Sequence, residues 1–463
     1  MNEILFKAFR EYLNCVSSIL RSSEHPVTKN RILYISPSTK IEKYENTDEF
    51  KELVNKSMEE PSFVLHGILK GRGIWEHSIK NFFRRSGYYR SIIENKPINV
   101  DDIFKKYLHT FQRSSIQRTY LVPMGLVHFS EKSMDFGSFQ IQQFTKRELI
   151  NICQNKINEN FYPYAHISLN QMNLLQNCWF ICITESIPRS KEDYFPWEEI
   201  SQVKPEYTTH PGPVELVLKK LVLFDWQWDQ MRELPSLDGQ KKESCEDKER
   251  FWQGFEVPFI IVLNDDPLNS PRRTDVSRLR TVPYFHPHSG EEIGEIPETE
   301  IHFDEKETAA FKNFILQVES IFNVLTPLEQ GWKFVEVALG FFVKAFFADG
   351  LEQLLWHTTT LEALLGENAE NLRQRLAGRI ALICGKTDRE KKKLRKEFLD
   401  LYDFRCDLVH GNVFQKQVYV GHLYTARSLA LKTLLWYLHC LKDIKEHLQD
   451  KGEEHQVKVK IKI

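Results

Sequence analysis

The chain has 463 residues, of which 41% are hydrophobic and 27% are charged. This length exceeds what one hydrophobic core usually serves, so the sequence predicts two or more domains. The formal net charge of −2 excludes a nucleic-acid-binding protein that depends on a basic charge over its whole surface. Any contact with RNA has to come from a local basic patch.

The cysteines and the hydropathy pattern indicate where the protein works. The eight cysteines include no Cys-x-x-Cys pair, which argues against a zinc ribbon and favours reduced thiols. No uncharged apolar run is long enough to cross a membrane, and the first residues do not follow a signal-peptide pattern. We therefore expect a soluble, cytoplasmic protein with no membrane contact.

Residues 1–300 mix helical and strand-like patterns. Apolar residues at helical spacing predict a helix over residues 2–21, and Thr145 with Glu148 forms a capping box that predicts a helix to about residue 156. Segments 237–250 and 264–300, which are rich in charge and in proline respectively, are predicted to be loops. Strands are predicted over residues 31–35, 62–69, 120–129, 138–144, 178–184, 214–226 and 258–264.

From residue 304 the pattern becomes helical. Apolar residues at i, i+3 and i+4 spacing predict helices over residues 305–324, 331–348, 351–365, 369–384, 389–410 and 421–448. The fold class predicted is α+β: a mixed, strand-rich region over residues 1–300 precedes an all-α bundle over residues 304–450. Residues 451–463 form a basic tail, and the alternation of apolar residues and lysine at its end predicts an edge strand.

Residues 405–411, which read RCDLVHG, carry the main candidate chemistry. Gly411 is a natural helix stop, because glycine adopts the left-handed cap conformation without steric cost. A guanidinium, which is always charged, and an imidazole are the minimum set for metal-free phosphodiester cleavage, and Arg405 and His410 supply them. The imidazole moves protons and the guanidinium stabilises charge on the phosphate. Taken alone, the pair also fits a solvated helix end.

The residues around this pair resemble the Apea-like branch of the HEPN superfamily. Residues 401–411 read LYDFRCDLVHG, close to the family pattern LYDxRxxxVHG, and residues 360–366 read TLEALLG, similar to the family's upstream acidic helix. The similarity covers about residues 311–448 and does not extend before residue 300. Cys406 departs from the small or polar residue that often follows the arginine.

The resemblance implies a helical ribonuclease domain that pairs with a second copy, so that both motifs face one cleft. Arg405 and His410 would be catalytic, with one histidine accepting the ribose 2′-hydroxyl proton and the other protonating the leaving 5′-oxygen. Glu362 would orient Arg405 through a charge-assisted hydrogen bond, and Asp407 is a further candidate. For Glu362 the alternative is an ordinary position on the helix surface. Neither a metal ion nor a cofactor is expected.

Basic residues precede the motif on the same predicted helix. The candidate RNA-binding residues are Lys391, Lys392, Lys393, Arg395 and Tyr402. The helix before them adds Arg373, Arg375 and Arg379. The alternative is a solvated helix face that binds nothing, which is the usual reason for a run of like charge.

The function expected from these features is that of a metal-independent endoribonuclease with transfer RNA as one candidate substrate. By analogy with the family, it would act in an anti-phage or toxin-like response, and the N-terminal region would respond to a phage-derived or cellular trigger. Two alternatives remain open. One is a non-catalytic scaffold whose Arg405 and His410 hold a dimer interface, and the other is an RNA- or nucleotide-binding regulator that acts through the N-terminal sheet.

Overall fold

The structure is a computed structural model. It describes residues 3–21, 46–67, 71–86, 88–93, 96–145, 147–149, 175, 178–189, 210–226, 254–268, 272–275, 281–285, 292–297, 301–325, 333–348, 350–366, 371–410 and 420–450. The predicted strand at 31–35, the predicted loop at 237–250, the basic tail at 451–463 and Gly411 lie outside the described residues.

The chain divides into two compact units. The first comprises residues 1–124, 138–204 and 257–278, and the second comprises residues 125–137, 205–256 and 279–463. Both helices and strands are present, so the predicted α+β class is confirmed at that level. The helices predicted from residue 304 onward all lie in the second unit, which also includes two segments from earlier in the chain. The bounds 1–300, 304–450 and 451–463 stay a prediction.

The helices of the described residues are α1 (Glu3–Arg21), α2 (Asp48–Glu59), α3 (Arg72–Arg85), α4 (Tyr88–Ile93), α5 (Val100–Gln112), α6 (Gly212–Leu221), α7 (Glu305–Leu325), α8 (Lys333–Phe346), α9 (Gly350–Leu365), α10 (Leu372–Cys384), α11 (Asp388–Val409) and α12 (Val420–Asp450). Helix α1 confirms the prediction for residues 2–21, and helices α7 to α12 confirm those from residue 305 to residue 448. These segments carry repeated apolar positions over many turns, which makes the helical period clear.

The strands of the described residues are β1 (Ser115–Met124), β2 (Val127–His128), β3 (Ser133–Asp135), β4 (Gln140–Gln143), β5 (Trp179–Pro188), β6 (Phe259–Asn264), β7 (Arg272–Asp275), β8 (Thr281–Phe285), β9 (Glu292–Pro297) and β10 (Ile301–His302). Strands β4, β5 and β6 confirm three of the predicted strands within a few residues. The strand predicted over residues 120–129 is interrupted after Met124, because Leu126 takes a positive φ of 66° and turns the chain.

The first unit combines a helical cluster and an antiparallel sheet. Helices α1 to α5 enclose a core rich in aromatic rings, in which Phe9, Phe83 and Tyr107 are fully buried. In this unit the strands follow the order β4-β5-β1-β6-β7, each antiparallel to its neighbour. Leu121 of the central strand β1 pairs with Cys182 on one side and with Ile261 on the other.

The strand predicted over residues 62–69 is wrong, because residues 64–67 form a 3₁₀ turn. The Glu60 carboxylate accepts the backbone N–H of Ser62 at 3.2 Å and its hydroxyl at 2.6 Å, which turns the chain before an extended segment can form. Phe63 and Leu65 are both buried in the helical core. A short apolar run in the sequence is compatible with a strand and with a 3₁₀ turn, so it does not distinguish them.

Two further predictions are wrong in the same region of the chain. Residues 212–221 form helix α6 instead of a strand, and Pro211 precedes the helix where its fixed φ is tolerated. The predicted loop at 264–300 contains strands β7, β8 and β9, and β8 pairs with β9 in an antiparallel hairpin. The capping box at Thr145 is present, since Glu148 N–H donates to its hydroxyl at 3.2 Å; of the predicted helix, residues 147–149 are described.

The second unit is organised around helix α12. This helix of 31 residues contacts helices α7, α8, α9, α10 and α11. An aromatic cluster lies in the same unit, where Trp226 packs against Phe255, Phe303 and Phe311. Among the described helices, none is long and apolar enough to cross a membrane.

Candidate active site

Helix α11 places the Arg–His motif at its C-terminal end. The helix begins with a capping box, in which Glu390 N–H donates to the Thr387 hydroxyl at 3.2 Å and the Glu390 carboxylate accepts the Thr387 N–H. Its cap residue at the other end is His410, whose backbone N–H donates to the carbonyls of Cys406 and Leu408. Arg405 therefore lies in the last turns of the helix, and His410 lies where the helix stops.

Arg405 is held by a carboxylate from another helix. Its Nη2 donates to Oε2 of Glu362 on helix α9 at 3.3 Å, and the two side chains are 23% and 24% exposed. The Nε atom is buried without a hydrogen-bond partner among the described residues. The pairing expected of Glu362 with Arg405 is thus present, while a catalytic role for either residue stays a prediction.

Tyr402 completes this group from one turn earlier on helix α11. Its ring centroid lies 5.8 Å from Cζ of Arg405, within reach of a cation–π interaction. Burial and then the charge and hydrogen bond of Glu362 raise the pKa of Tyr402 to about 12. The phenol therefore stays protonated near neutral pH and donates to the Glu362 carboxylate. It lies at the inner side of the site, so a direct contact between Tyr402 and RNA stays a prediction.

His410 is placed differently from these three residues. Its side chain is exposed and, among the described residues, it has no hydrogen bond, ion pair or ring contact. Five residues along a helix correspond to a rotation of about 140°, so Arg405 and His410 do not share one helix face. Asp407, which lies between these two residues in the sequence, is half-buried. The structure brings together Glu362, Tyr402 and Arg405, and it leaves the imidazole of His410 accessible to a ligand or partner.

Two contacts fix helix α11 against its neighbours beside the motif. Asp403 forms an ion pair with Arg373 of helix α10. The Phe404 ring stacks on the imidazole of His422 of helix α12, with centroids 4.5 Å apart and planes 20° from parallel. Both contacts lie within two residues of Arg405. They set the position of the helix end that carries Arg405 and His410.

The basic residues of helix α11 differ in their exposure and in their contacts. Lys392, Lys393 and Arg395 are exposed, whereas Lys391 is half-buried. Lys393 lies 3.6 Å from Glu397, and Arg395 donates to the side-chain oxygen of Gln374 at 3.2 Å. Among the exposed candidates, Lys392 and Arg395 are the cations whose charge no described carboxylate pairs with.

The arginines of helix α10 have structural partners. Arg373 pairs with Asp403, and Nη1 of Arg379 donates to the carbonyl oxygen of Leu365 at 2.6 Å, at the end of helix α9. The sequence interpretation of these arginines as an extended phosphate track missed both contacts. It also missed His422, since a histidine near a helix start carries no local signal that it will stack on Phe404.

Comparisons of the chain with protein-family models, curated proteins and solved structures found no match. Among the described residues, no group of three or more His, Cys, Asp and Glu side chains is arranged to hold a metal ion.

Proposed function

We propose that the chain is a metal-independent endoribonuclease of the HEPN type. The observation that carries this proposal is the ion pair between Arg405 and Glu362, 3.3 Å long, at the helix end that His410 caps. It supplies a positioned guanidinium on the same short segment as an accessible imidazole. A guanidinium binds a phosphate through parallel N–H donors, and an imidazole transfers protons near neutral pH.

The proposed reaction is an internal transfer on RNA. One imidazole accepts the proton of a ribose 2′-hydroxyl as its oxygen bonds to the neighbouring phosphorus. The bond from phosphorus to the 5′-oxygen breaks, and a second, protonated imidazole gives its proton to that oxygen. Arg405 stabilises the charge that builds on the phosphate oxygens. The products are a 2′,3′-cyclic phosphate and a 5′-hydroxyl, so no water is consumed in this step.

This reaction needs a proton acceptor and a proton donor at the same time. Each motif supplies one histidine, His410, and the resemblance to the family implies that two copies face each other. We therefore propose a homodimer in which the two motifs share one cleft. An unregulated ribonuclease would harm its host, so the N-terminal region is proposed to restrain it until a phage-derived or cellular trigger binds. Transfer RNA is the proposed substrate by analogy with the family.

The mechanism is tested by cleavage in the presence of EDTA. The purified chain is incubated with transfer RNA and with single-stranded RNA, with and without the chelator. We expect equal cleavage in both conditions and products that end in a 2′,3′-cyclic phosphate. His410→Ala should lose cleavage, while His439→Ala, an exposed imidazole of helix α12, serves as the matched control. Loss of activity in EDTA that a divalent ion restores would contradict the mechanism.

A second candidate is a non-catalytic scaffold. The same ion pair favours it, because Glu362 offsets the charge that Arg405 would otherwise offer to a phosphate. A scaffold whose Arg405 and His410 hold the dimer interface should form a weaker dimer in the His410→Ala variant, and its wild-type chain should cleave no RNA. A ribonuclease should keep RNA binding and lose only cleavage and its biological effect.

A further inference from the structure

A cavity of about 450 Å³ opens in the first unit, at helix α5 and the loop that follows strand β6. Its basic side is formed by Lys105, Lys106 and His109 of helix α5, and its apolar side includes Phe82 and Pro267. Phe82 is 1% exposed and belongs to the helical core, so one side of the cavity is anchored in packed structure. We call this cavity the basic pocket. Its size falls within the range of small-molecule sites.

The positive charges of the basic pocket have no described counter-charge. None of its described lining residues is Asp or Glu. Among the described residues, the side chains of Lys105, Lys106 and His109 form no hydrogen bond or ion pair. Asp101 and Asp102 stand one turn earlier on the same helix, yet neither forms an ion pair with these lysines.

The two acidic residues beside Pro267 are engaged elsewhere. Asp265 accepts two hydrogen bonds from Arg113, each 2.7 Å long. Asp266 lies 2.9 Å from Arg189 in a pair whose side chains are both fully buried. Because an arginine neutralises each of these carboxylates, they do not offset the lysines of the pocket. The two ammonium groups beside one cavity repel each other, and a bound anion would offset that repulsion.

We propose that the basic pocket binds the polyphosphate group of a nucleoside di- or triphosphate. Lysine binds phosphate oxygens as a point charge, and Lys105, Lys106 and His109 together supply several N–H donors to neighbouring phosphates. Pro267, which is half-buried, gives the nucleoside an apolar surface that a simple inorganic anion does not need. The proposal concerns ligand binding by the first unit and is independent of the proposed ribonuclease activity.

The test is isothermal titration of the full chain with adenosine triphosphate, inorganic tripolyphosphate and adenosine. We expect binding of both polyphosphates and none of adenosine at the same concentration. K105Q/K106Q should weaken the binding of adenosine triphosphate about tenfold or more, because the variant removes two charge-assisted hydrogen-bond donors. The matched control is K7Q/K51Q, which removes two exposed lysines from helices α1 and α2 of the same unit. Its affinity should stay within about twofold of wild type.

The outcomes separate the sources of the anion. Tighter binding of adenosine triphosphate than of tripolyphosphate identifies a nucleotide site, and the reverse order overturns the nucleotide assignment. Binding that K105Q/K106Q leaves unchanged overturns the basic pocket, since the polyphosphate must then bind other cations, such as those of helix α11. An absence of binding by wild type overturns it as well. H109Q, a single change at an exposed position, repeats the comparison if the double variant does not fold.

Discussion

Glu362 determines how Arg405 is held at the end of helix α11. Its carboxylate accepts from Arg405 and interacts with the Tyr402 phenol, so one acidic side chain orients two neighbours. A carboxylate on an apolar helix face is stable when it is paired in this way. Removal of the Glu362 charge should therefore loosen the position of the Arg405 guanidinium.

Replacing Glu362 by glutamine tests this role. The substitution keeps the shape and an acceptor but removes the charge, so the guanidinium is held less firmly. We expect kcat for RNA cleavage to fall about tenfold to a hundredfold, in line with the loss of one charge-assisted hydrogen bond. The KM for RNA should change little. The matched control is Glu352→Gln on the same helix, where Glu352 accepts from the Trp356 indole at 3.0 Å. Equal kcat for both variants would show that Glu362 has no positioning role.

A second residue-scale feature is a buried imidazole in the same unit. His357 of helix α9 is 1% exposed, and neither of its ring nitrogens has a hydrogen-bond partner among the described residues. Burial and then the positive charge of Arg427 lower the pKa of His357 well below its ordinary value. Burial also lowers the pKa of Arg427, to about 10. His357 is therefore neutral in the folded protein over a wide range of pH.

This depressed pKa makes the stability of the second unit depend on pH. Below pH 6.5, the ordinary pKa of imidazole, His357 binds a proton in the unfolded chain but stays neutral in the folded chain. The free energy of unfolding should therefore fall as pH drops through that value, by about 1.4 kcal/mol per pH unit for one group. Urea unfolding of wild type and His357→Leu at pH 7.5 and 5.5 measures this. The leucine variant should lose that part of the decrease, and His439→Leu is the exposed control.

If His357→Leu kept the full pH dependence of wild type, the protons would be taken up elsewhere. His422, whose pKa burial also lowers, is the next group to examine.

At the scale of elements, helix α11 combines the motif with a basic surface. Its first half carries the exposed Lys392 and Arg395, and its last turns carry Arg405. Arg395 and Arg405 are ten residues apart on one helix, or about 15 Å along its axis. A single-stranded RNA spans that distance with a few nucleotides, so one strand can contact both.

Substitution of Lys392 and Arg395 by glutamine tests whether this surface binds RNA. Removing one cation that binds a phosphate should flatten the dependence of log affinity on log salt by about 0.7. Binding should weaken most at low salt, while cleavage at saturating RNA changes little because Arg405 and His410 remain. The control K306Q/K333Q removes two exposed lysines from helices α7 and α8. Salt-dependent binding curves are measured by fluorescence anisotropy. Equal slopes for both variants would indicate a solvated face.

At the scale of the whole molecule, the proposed reaction requires two copies of the chain. His410 is accessible, and it carries no partner among the described residues that would prevent it from facing a second His410. A shared cleft predicts that two different defective chains can complement each other.

Mixing His410→Ala and Arg405→Ala chains provides that test. Each pure variant should be inactive, because each dimer then lacks both histidines or both arginines. Mixed dimers keep one arginine and one histidine, so water has to serve as the second proton-transfer group, and they should recover a small but measurable fraction of wild-type cleavage. Dimer mass is confirmed by light scattering, and mixing each variant with itself serves as the control. A fully active monomer would exclude the shared cleft.

Local patterns of residue type were enough to predict several of the helices and strands. Helices α7 to α12 carry apolar residues at the helical period over many turns, and Thr145 with Glu148 marks a helix start. Such signals lie within a few residues of each other, so no knowledge of the rest of the chain is needed to read them. The candidate roles of Arg405 and His410 were also reached from sequence, through the resemblance.

Other features depend on contacts between segments that are far apart in the chain, and the sequence did not predict them. Helix α6 looked like a strand because it is apolar on most sides, and its charged residues do not mark a solvent face. Lys220 is buried because Glu319 accepts its ammonium at 2.6 Å, and Glu215 is buried beside His210 at 3.1 Å. The basic pocket likewise depends on Pro267, which follows helix α5 by more than a hundred residues in sequence. When charged residues are buried against partners far along the chain, the sequence shows no local period of apolar and polar residues. The partners come into contact only after folding.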